Sequence, residues 1–201
     1  MKMFLSSTID VTINLLLKKT RKRRVLFINN PVDLFKNKYW MRKEKMAFLD
    51  RGYELYECDI RKESASIIKK FDIVHICGGS ALYILDLLKK TGWYNVILYA
   101  IKKDHIIYTG TSAGSMIMAP NISFSADDED EQECGMVGKV KNMDSFGLIP
   151  FYLMCHAQEK YYIPSTKKAI DRLPKNKLSI LFLNDNMALW VEDKKIELLQ
   201  N

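Results

Sequence analysis

The stretch Gly110-Thr111-Ser112-Ala113-Gly114 has the residue types and spacing of a nucleophile elbow. It leaves the apolar run His105-Ile106-Ile107-Tyr108, read as a buried strand, and enters Ser115-Met116-Ile117-Met118, read as a helix start. In a small-x-Ser-x-Gly turn the glycines let the backbone reverse sharply and leave the serine standing above the sheet. The amide of Ala113, at the start of the helix, is then placed to donate to an oxyanion. The alternative is a plain strand-to-helix turn whose glycines serve only close packing.

A serine hydroxyl is a weak nucleophile unless a base, usually histidine oriented by a carboxylate, accepts its proton. The chain has three histidines. His75 and His105 lie in or beside apolar strand-like runs and read as structural. His156 follows Phe151-Tyr152-Leu153-Met154-Cys155, where a strand ends and a polar residue leaves the core, and is the best candidate base. Candidate orienting acids are several: the acidic run Asp127-Asp128-Glu129-Asp130-Glu131, which reads as a solvated loop, and Glu159. Spacing alone does not choose among them.

Gly78-Gly79 closes a second buried-type strand, Asp72 to Cys77. Neither a GxGxxG pattern nor a P-loop lysine accompanies it, so a phosphate cradle is disfavoured. A tight turn facing the site fits better, with Gly79 N–H as a second oxyanion donor beside Ala113 N–H. An α/β-hydrolase order is also disfavoured, because His156 follows Ser112 by only 44 residues and 89 residues remain after the serine. The acidic run lacks the glycine and the ligand spacing of an EF-hand.

The elements that must carry these residues are legible from periodicity. Strands are predicted at Met3–Leu5, Arg24–Ile28, Glu54–Ile60 and Asp72–Cys77, and helices at Ile9–Leu17, Leu34–Leu49, Ser64–Lys70, Ala81–Lys90 and Trp93–Ile101. This alternation indicates βαβ units and a mostly parallel sheet, whose ligands bind beyond the carboxyl ends of strands. Gly78-Gly79 and Ser112 both fall at such ends. Later come a helix near Thr166–Leu173 and strand-like runs at Leu178–Leu183 and Met187–Val191. Asn184-Asp185-Asn186 between the last two reads as the turn of a hairpin closing the sheet.

With 201 residues, 48% apolar and 27% charged, the chain is expected to form one domain, residues 1–201. The net charge of +7 is concentrated at Lys18, Lys19, Arg21, Lys22, Arg23 and Arg24, read as a solvated helix end without a nucleic-acid motif. Cys58, Cys77, Cys134 and Cys155 have no CxxC or zinc spacing, and three of them lie in or beside apolar runs, as reduced core cysteines do. No apolar run approaches the roughly 18–20 residues of a membrane span, and no signal-peptide pattern is evident. The expectation is a cytoplasmic protein with no nucleic-acid or membrane partner.

With these residues in view, the chain resembles the peptidase E family, serine peptidases typified by aspartyl dipeptidase. The resemblance runs from Lys2–Ser7 through the turn Ile76-Cys77-Gly78-Gly79-Ser80 and the elbow Tyr108–Gly114. It continues through Gly147–Phe151 with His156 to Leu183–Leu189. It implies a single-domain α/β fold, a mostly parallel sheet flanked by helices. That fold is similar to class I glutamine amidotransferases and forms a flavodoxin-like three-layer sandwich. It also implies Ser112 as nucleophile, His156 as general base and acid, and Gly79 and Ala113 amides as the oxyanion hole. Asp127, 15 positions after Ser112, matches the family's Thr-Asn-Asp-Met stretch and is implied as the third triad member. Gly78 and Ser80 are implied to help bind substrate.

The implied activity is hydrolysis of small peptides, with an N-terminal aspartyl residue as the family preference. Neither metal nor cofactor is implied, and the protein is expected to be a monomer or homodimer. Cys77 and Ser80 stand where the family has glycine and asparagine; Cys155 and Ala157 replace a proline and an aromatic around His156, and Asp128 replaces a methionine. These departures motivate a second reading, a catalytically silent binding or regulatory module; an acyl- or amidotransferase using the same serine is a third. The acidic run would repel an acidic substrate if it faced the pocket.

Overall fold

The computed structural model describes residues 1–127, 129–172 and 179–201. The side chains of residues 127, 129, 165 and 172 lie outside the description. Nine strands occur among the described residues: β1 (Lys2–Ser6), β2 (Arg24–Ile28), β3 (Glu54–Cys58), β4 (Ile73–Ile76), β5 (Ile107–Thr111), β6 (Phe151–Met154), β7 (Ser179–Phe182), β8 (Met187–Glu192) and β9 (Lys195–Gln200). The helices are α1 (Ile9–Lys19), α2 (Tyr39–Leu49), α3 (Ala81–Thr91), α4 (Trp93–Lys102), α5 (Ala113–Met116), α6 (Glu129–Glu133) and α7 (Ile163–Arg172).

Seven strands form one sheet in the order β3-β2-β4-β5-β1-β8-β9. The first five are mutually parallel, and β8 runs antiparallel to both β1 and β9. Successive strand side chains point to opposite faces, and here both faces are apolar, as a sheet covered by helices on two sides requires. In β2, Val25 and Phe27 pack with Ile13 and Leu16 of α1 and Phe48 of α2. Leu26 and Ile28 face the other way, into the larger core shared with Leu85 of α3 and Ile97 of α4. The result is the three-layer α/β fold expected. No helix among the described residues is long and apolar enough to cross a membrane.

Two local expectations change. The helix predicted from Leu34 begins at Tyr39. Pro31 lies within a 3-10 turn, Asn30–Val32, and Asn30 donates to Asp33 and Asp59, bonds that hold the segment as a loop instead. The hairpin predicted at Asn184–Asn186 does not form. β7 pairs with β6, parallel, in a separate two-stranded sheet, whereas β8 crosses to the main sheet and makes its hairpin with β9. Asn184-Asp185-Asn186 is therefore a passage between two sheets. Leu173 and Leu178, expected in the flanking helix and strand, lie outside the described residues.

Because β4, β5 and β1 are parallel neighbours, their carboxyl ends share one edge of the sheet. Gly78-Gly79, Ser112 and Ser7-Thr8 emerge there side by side.

Candidate active site

Ser112 sits between β5 and α5 with φ 47° and ψ −111°, a combination that non-glycine residues rarely hold. Such strain persists only where the surroundings over-determine it. Here Ser112 N–H donates to Ser6 O at 2.9 Å, and Ser112 O accepts from the amides of Ser115 and Met116, each at 2.8 Å. The buried Ser115 hydroxyl lies 2.7 Å from Gly110 O and 2.8 Å from Ser6 O, tying the turn to β1. Gly114 has no room for a side chain, since a Cβ would stand 2.1 Å from Ile76 O. Close packing and a half-buried, strained serine are thus two sides of one turn.

His156 follows β6, one residue past Cys155, and also has positive φ, 57°. Its Nδ1 lies 2.7 Å from Asp185 Oδ1. An ionised carboxylate can only accept, so the bond places the imidazole proton on Nδ1 and leaves Nε2 as the acceptor. The exit of β1 holds this pair in place. Ser7 Oγ accepts from His156 N–H at 3.2 Å and donates to Leu183 O, while Thr8 Oγ1 donates to Asp185 O at 2.7 Å. Tyr162 stacks on the imidazole with ring centres 5.1 Å apart.

The carboxylate that reaches His156 is therefore one that reads in the sequence as part of a hairpin turn. Glu159 is exposed, and its backbone N–H donates to His156 O at 2.9 Å. Asp127 ends a 3-10 turn, Ser123–Asp127, and its side chain lies outside the described residues. The signal that could have found Asp185 is its position at the carboxyl end of the Leu181-Phe182-Leu183 run, where α/β sites are built.

The glycine turn after β4 approaches the elbow closely. A Cβ on Gly78 would lie 3.4 Å from Ser112 Cβ, and one on Gly79 would lie 2.4 Å from Pro31 O. Gly78 N–H is taken by Glu44 Oε1 at 3.1 Å. The amides of Gly79 and Ala113 have no hydrogen-bond partner among the described residues.

Ser80, expected beside the substrate, is fully buried. Its hydroxyl caps α3 by accepting from Tyr83 N–H at 2.9 Å and donates to Glu131 Oε2 at 2.5 Å. Glu131 belongs to the acidic run expected in solvent, but it is buried, and its Oε1 accepts Leu82 N–H at the amino end of α3.

Burial pushes the Glu131 carboxyl up to about 7, against the hydrogen bonds from Ser80, Leu82 and Ala81. A carboxyl whose folded pKa exceeds its unfolded value keeps its proton in the folded state while the unfolded chain has lost it. Its contribution to stability therefore falls as pH rises from about 4.5 to about 7 and levels off above. Urea unfolding across that window should show this component of the slope in the native chain and its loss in Glu131→Gln. Equal slopes would contradict it.

Ser112, His156 and Asp185 all line one cavity of about 360 Å³, with Gly78, Gly79 and Thr111 among its walls. That is the small end of the range for small-molecule sites, about 300–1,000 Å³. Among the described residues three other acids line it, Asp10, Glu44 and Asp130, against one cation, Lys43, which lies 4.6 Å over the Tyr39 ring. Cys77, Ser80, Cys155 and Ala157 are not among its lining residues. Cys77 packs with the α1 and α2 side of the core, and Cys155 Sγ lies 3.9 Å from Ser112 O.

An elbow serine and a histidine–carboxylate pair thus line one cavity at the carboxyl edge of a parallel sheet, a set of groups chemically able to carry nucleophilic acyl transfer. The chain belongs to peptidase family S51, whose family model matches residues 4–199. An uncharacterized peptidase of Pasteurella multocida is 25% identical over 177 residues, covering 85% of this chain and 84% of the relative. One from Listeria innocua is 27% identical over 164 residues, covering 79% and 75%. Among solved structures, a chain from Listeria monocytogenes described provisionally as a peptidase E protein superposes with TM-score 0.88 at 22% identity, covering 100% of this chain and 98% of that one. A peptidase from an acI-B1 actinobacterium gives 0.73 at 16% identity, covering 100% and 87%. At those identities the structures speak for the fold, and the family match makes the protein a peptidase.

Proposed function

We propose that the protein is a serine peptidase of small peptides, with Ser112 as nucleophile, His156 as general base and acid, and Asp185, in place of Asp127, as the orienting carboxylate. The observation that carries this reading is the strained Ser112 sharing one cavity with the His156–Asp185 pair. Ser112 Oγ attacks the scissile carbonyl carbon as its proton passes to His156 Nε2. The carbonyl oxygen becomes an oxyanion facing the Gly79 and Ala113 amides. His156 then hands the proton to the departing amine, leaving an acyl-enzyme. Water attacks that ester with His156 again as base, and the serine is restored.

The cavity wall supports a substrate class as well. An aspartyl side chain would need a cation, and the wall supplies Lys43 against Asp10 and Asp130. The substrate is a short peptide with a neutral or basic first residue, contrary to the aspartyl preference implied by resemblance. The departures at Cys77, Ser80, Cys155 and Ala157 stay off the cavity wall, so they give the silent-module reading no support.

The test is hydrolysis of the dipeptides Lys-Leu, Ala-Leu and Asp-Leu. Lys-Leu or Ala-Leu is expected to exceed Asp-Leu in kcat/KM by about tenfold or more, roughly 1.4 kcal/mol. Fastest turnover of Asp-Leu would reverse the assignment of substrate class, and no hydrolysis of any short peptide would remove the function.

A further inference from the structure

We propose that Trp40 and Glu44, four residues apart on one face of α2, are positioning residues that set the direction of the Gly79 N–H. The inference rests on the serine-peptidase reading above, in which that amide is an oxyanion donor. The two side chains grip the same glycine from both ends. Glu44 Oε1 accepts Gly78 N–H at 3.1 Å, and Trp40 Nε1 donates to Gly78 O at 3.4 Å. Gly78 O and Gly79 N–H belong to one trans peptide, in which the two groups point in opposite directions. Holding the carbonyl therefore holds the amide.

The grip is itself held. Glu44 is buried, and its second oxygen, Oε2, lies 3.0 Å from His75 Nε2. His75 Nδ1 lies 2.9 Å from Thr109 Oγ1 on β5, three residues before the nucleophile. His75 is fully buried, stacked on Phe27 and edge-on to Phe48, with ring centres 4.9 Å away in both cases. A carboxylate accepts only, so the order of donors follows: Thr109 O–H to His75 Nδ1, His75 Nε2–H to Glu44 Oε2, and Gly78 N–H to Glu44 Oε1. Trp40 is fixed by its edge-on contact with Phe35, ring centres 5.2 Å apart. A carboxylate taken out of water is costly unless each oxygen is satisfied. Here the satisfied network links the helix, the oxyanion turn and the strand that leads to Ser112.

Donors preorganised toward a developing oxyanion act in the transition state, so disturbing the grip should slow the chemical step and spare binding. The test is fluorophosphonate inactivation of the full-length chain, followed by intact mass and resolved into kinact and KI, with thermal unfolding to confirm that each variant is folded. Glu44→Ala should lower kinact about 100-fold with KI changed by less than about threefold, the size of effect seen when one oxyanion donor is lost. Glu44→Gln should recover to within about fivefold of the native kinact. Its amide oxygen can still accept Gly78 N–H, while His75 adopts the other tautomer to meet the amide nitrogen. Trp40→Phe, which keeps a packed ring and removes the donor, should lower kinact about tenfold.

Trp40→Phe decides the matter if Glu44→Ala fails to fold. A folded Trp40→Phe or Glu44→Ala that reacts at the native kinact overturns the inference, as does a Glu44→Gln as slow as Glu44→Ala. In all of those results the native chain still labels at Ser112. A native chain that does not label overturns the serine-peptidase reading itself, and the inference with it.

Discussion

Replacing Ser112 with alanine should lower kcat/KM for the best dipeptide by about 10⁵–10⁶-fold and remove the single fluorophosphonate adduct. The expected size follows from what remains. Without Oγ, neither the acyl-enzyme nor the proton transfer to His156 can occur, so only binding and the two backbone amides still act on an attacking water. Removing the nucleophile from such a constellation costs nearly as much as removing all of it. Stability should barely move, within about 0.5 kcal/mol, as for substitutions that disturb neither a packed core nor a cap. The bonds holding the turn are backbone bonds to Ser6, Ser115 and Met116 together with the Ser115 side chain, and all survive the change. Steady-state hydrolysis and intact mass read the two halves of the prediction. A folded Ser112→Ala that keeps more than about a hundredth of native turnover would mean that the reaction runs through another group.

Ser112 is legible in the sequence because everything that defines it is local. A buried strand, two glycines and a helix start lie within ten residues, and the chemistry follows from that order. The parallel sheet is legible for the same reason, since alternating apolar runs and amphipathic stretches record burial residue by residue. His156 stands out because it ends an apolar run, and the burial of His75 is legible because it lies inside one.

The residues that escape such a reading are those whose role depends on where distant segments meet. Glu44 lies on a lysine-rich helix and looks like any solvated acid; only the crossing of α2 over the β4 turn buries it. Glu131 sits among five consecutive acids, and nothing local distinguishes it as the one that caps α3. Asp185, between two asparagines, has the composition of a hairpin turn. Pairing β7 with β6 and β8 with β1 changes its meaning, and that choice is made by partners more than 25 residues away.

Asp185→Asn should therefore also be strongly damaging, lowering kcat by about 10³–10⁴-fold with the fold intact. In the proposed mechanism the carboxylate fixes the proton on His156 Nδ1, keeps Nε2 available as the base, and stabilises the imidazolium formed when Ser112 attacks. An amide carries no charge to stabilise that cation, and its NH₂ can meet Nδ1 as a donor, moving the ring proton to Nε2 where it blocks the transfer. The hydrogen bond from the Thr8 hydroxyl to the Asp185 backbone O is untouched, so the passage between the two sheets should keep its course. Parallel measurements on Asp127→Asn and Glu159→Gln make the comparison decisive. Both should stay within about threefold of native kcat, because in the proposed mechanism neither carboxylate orients His156. Collapse of activity in Asp127→Asn beside an active Asp185→Asn would return the orienting role to the residue 15 positions after the nucleophile and reduce the His156–Asp185 bond to a structural contact.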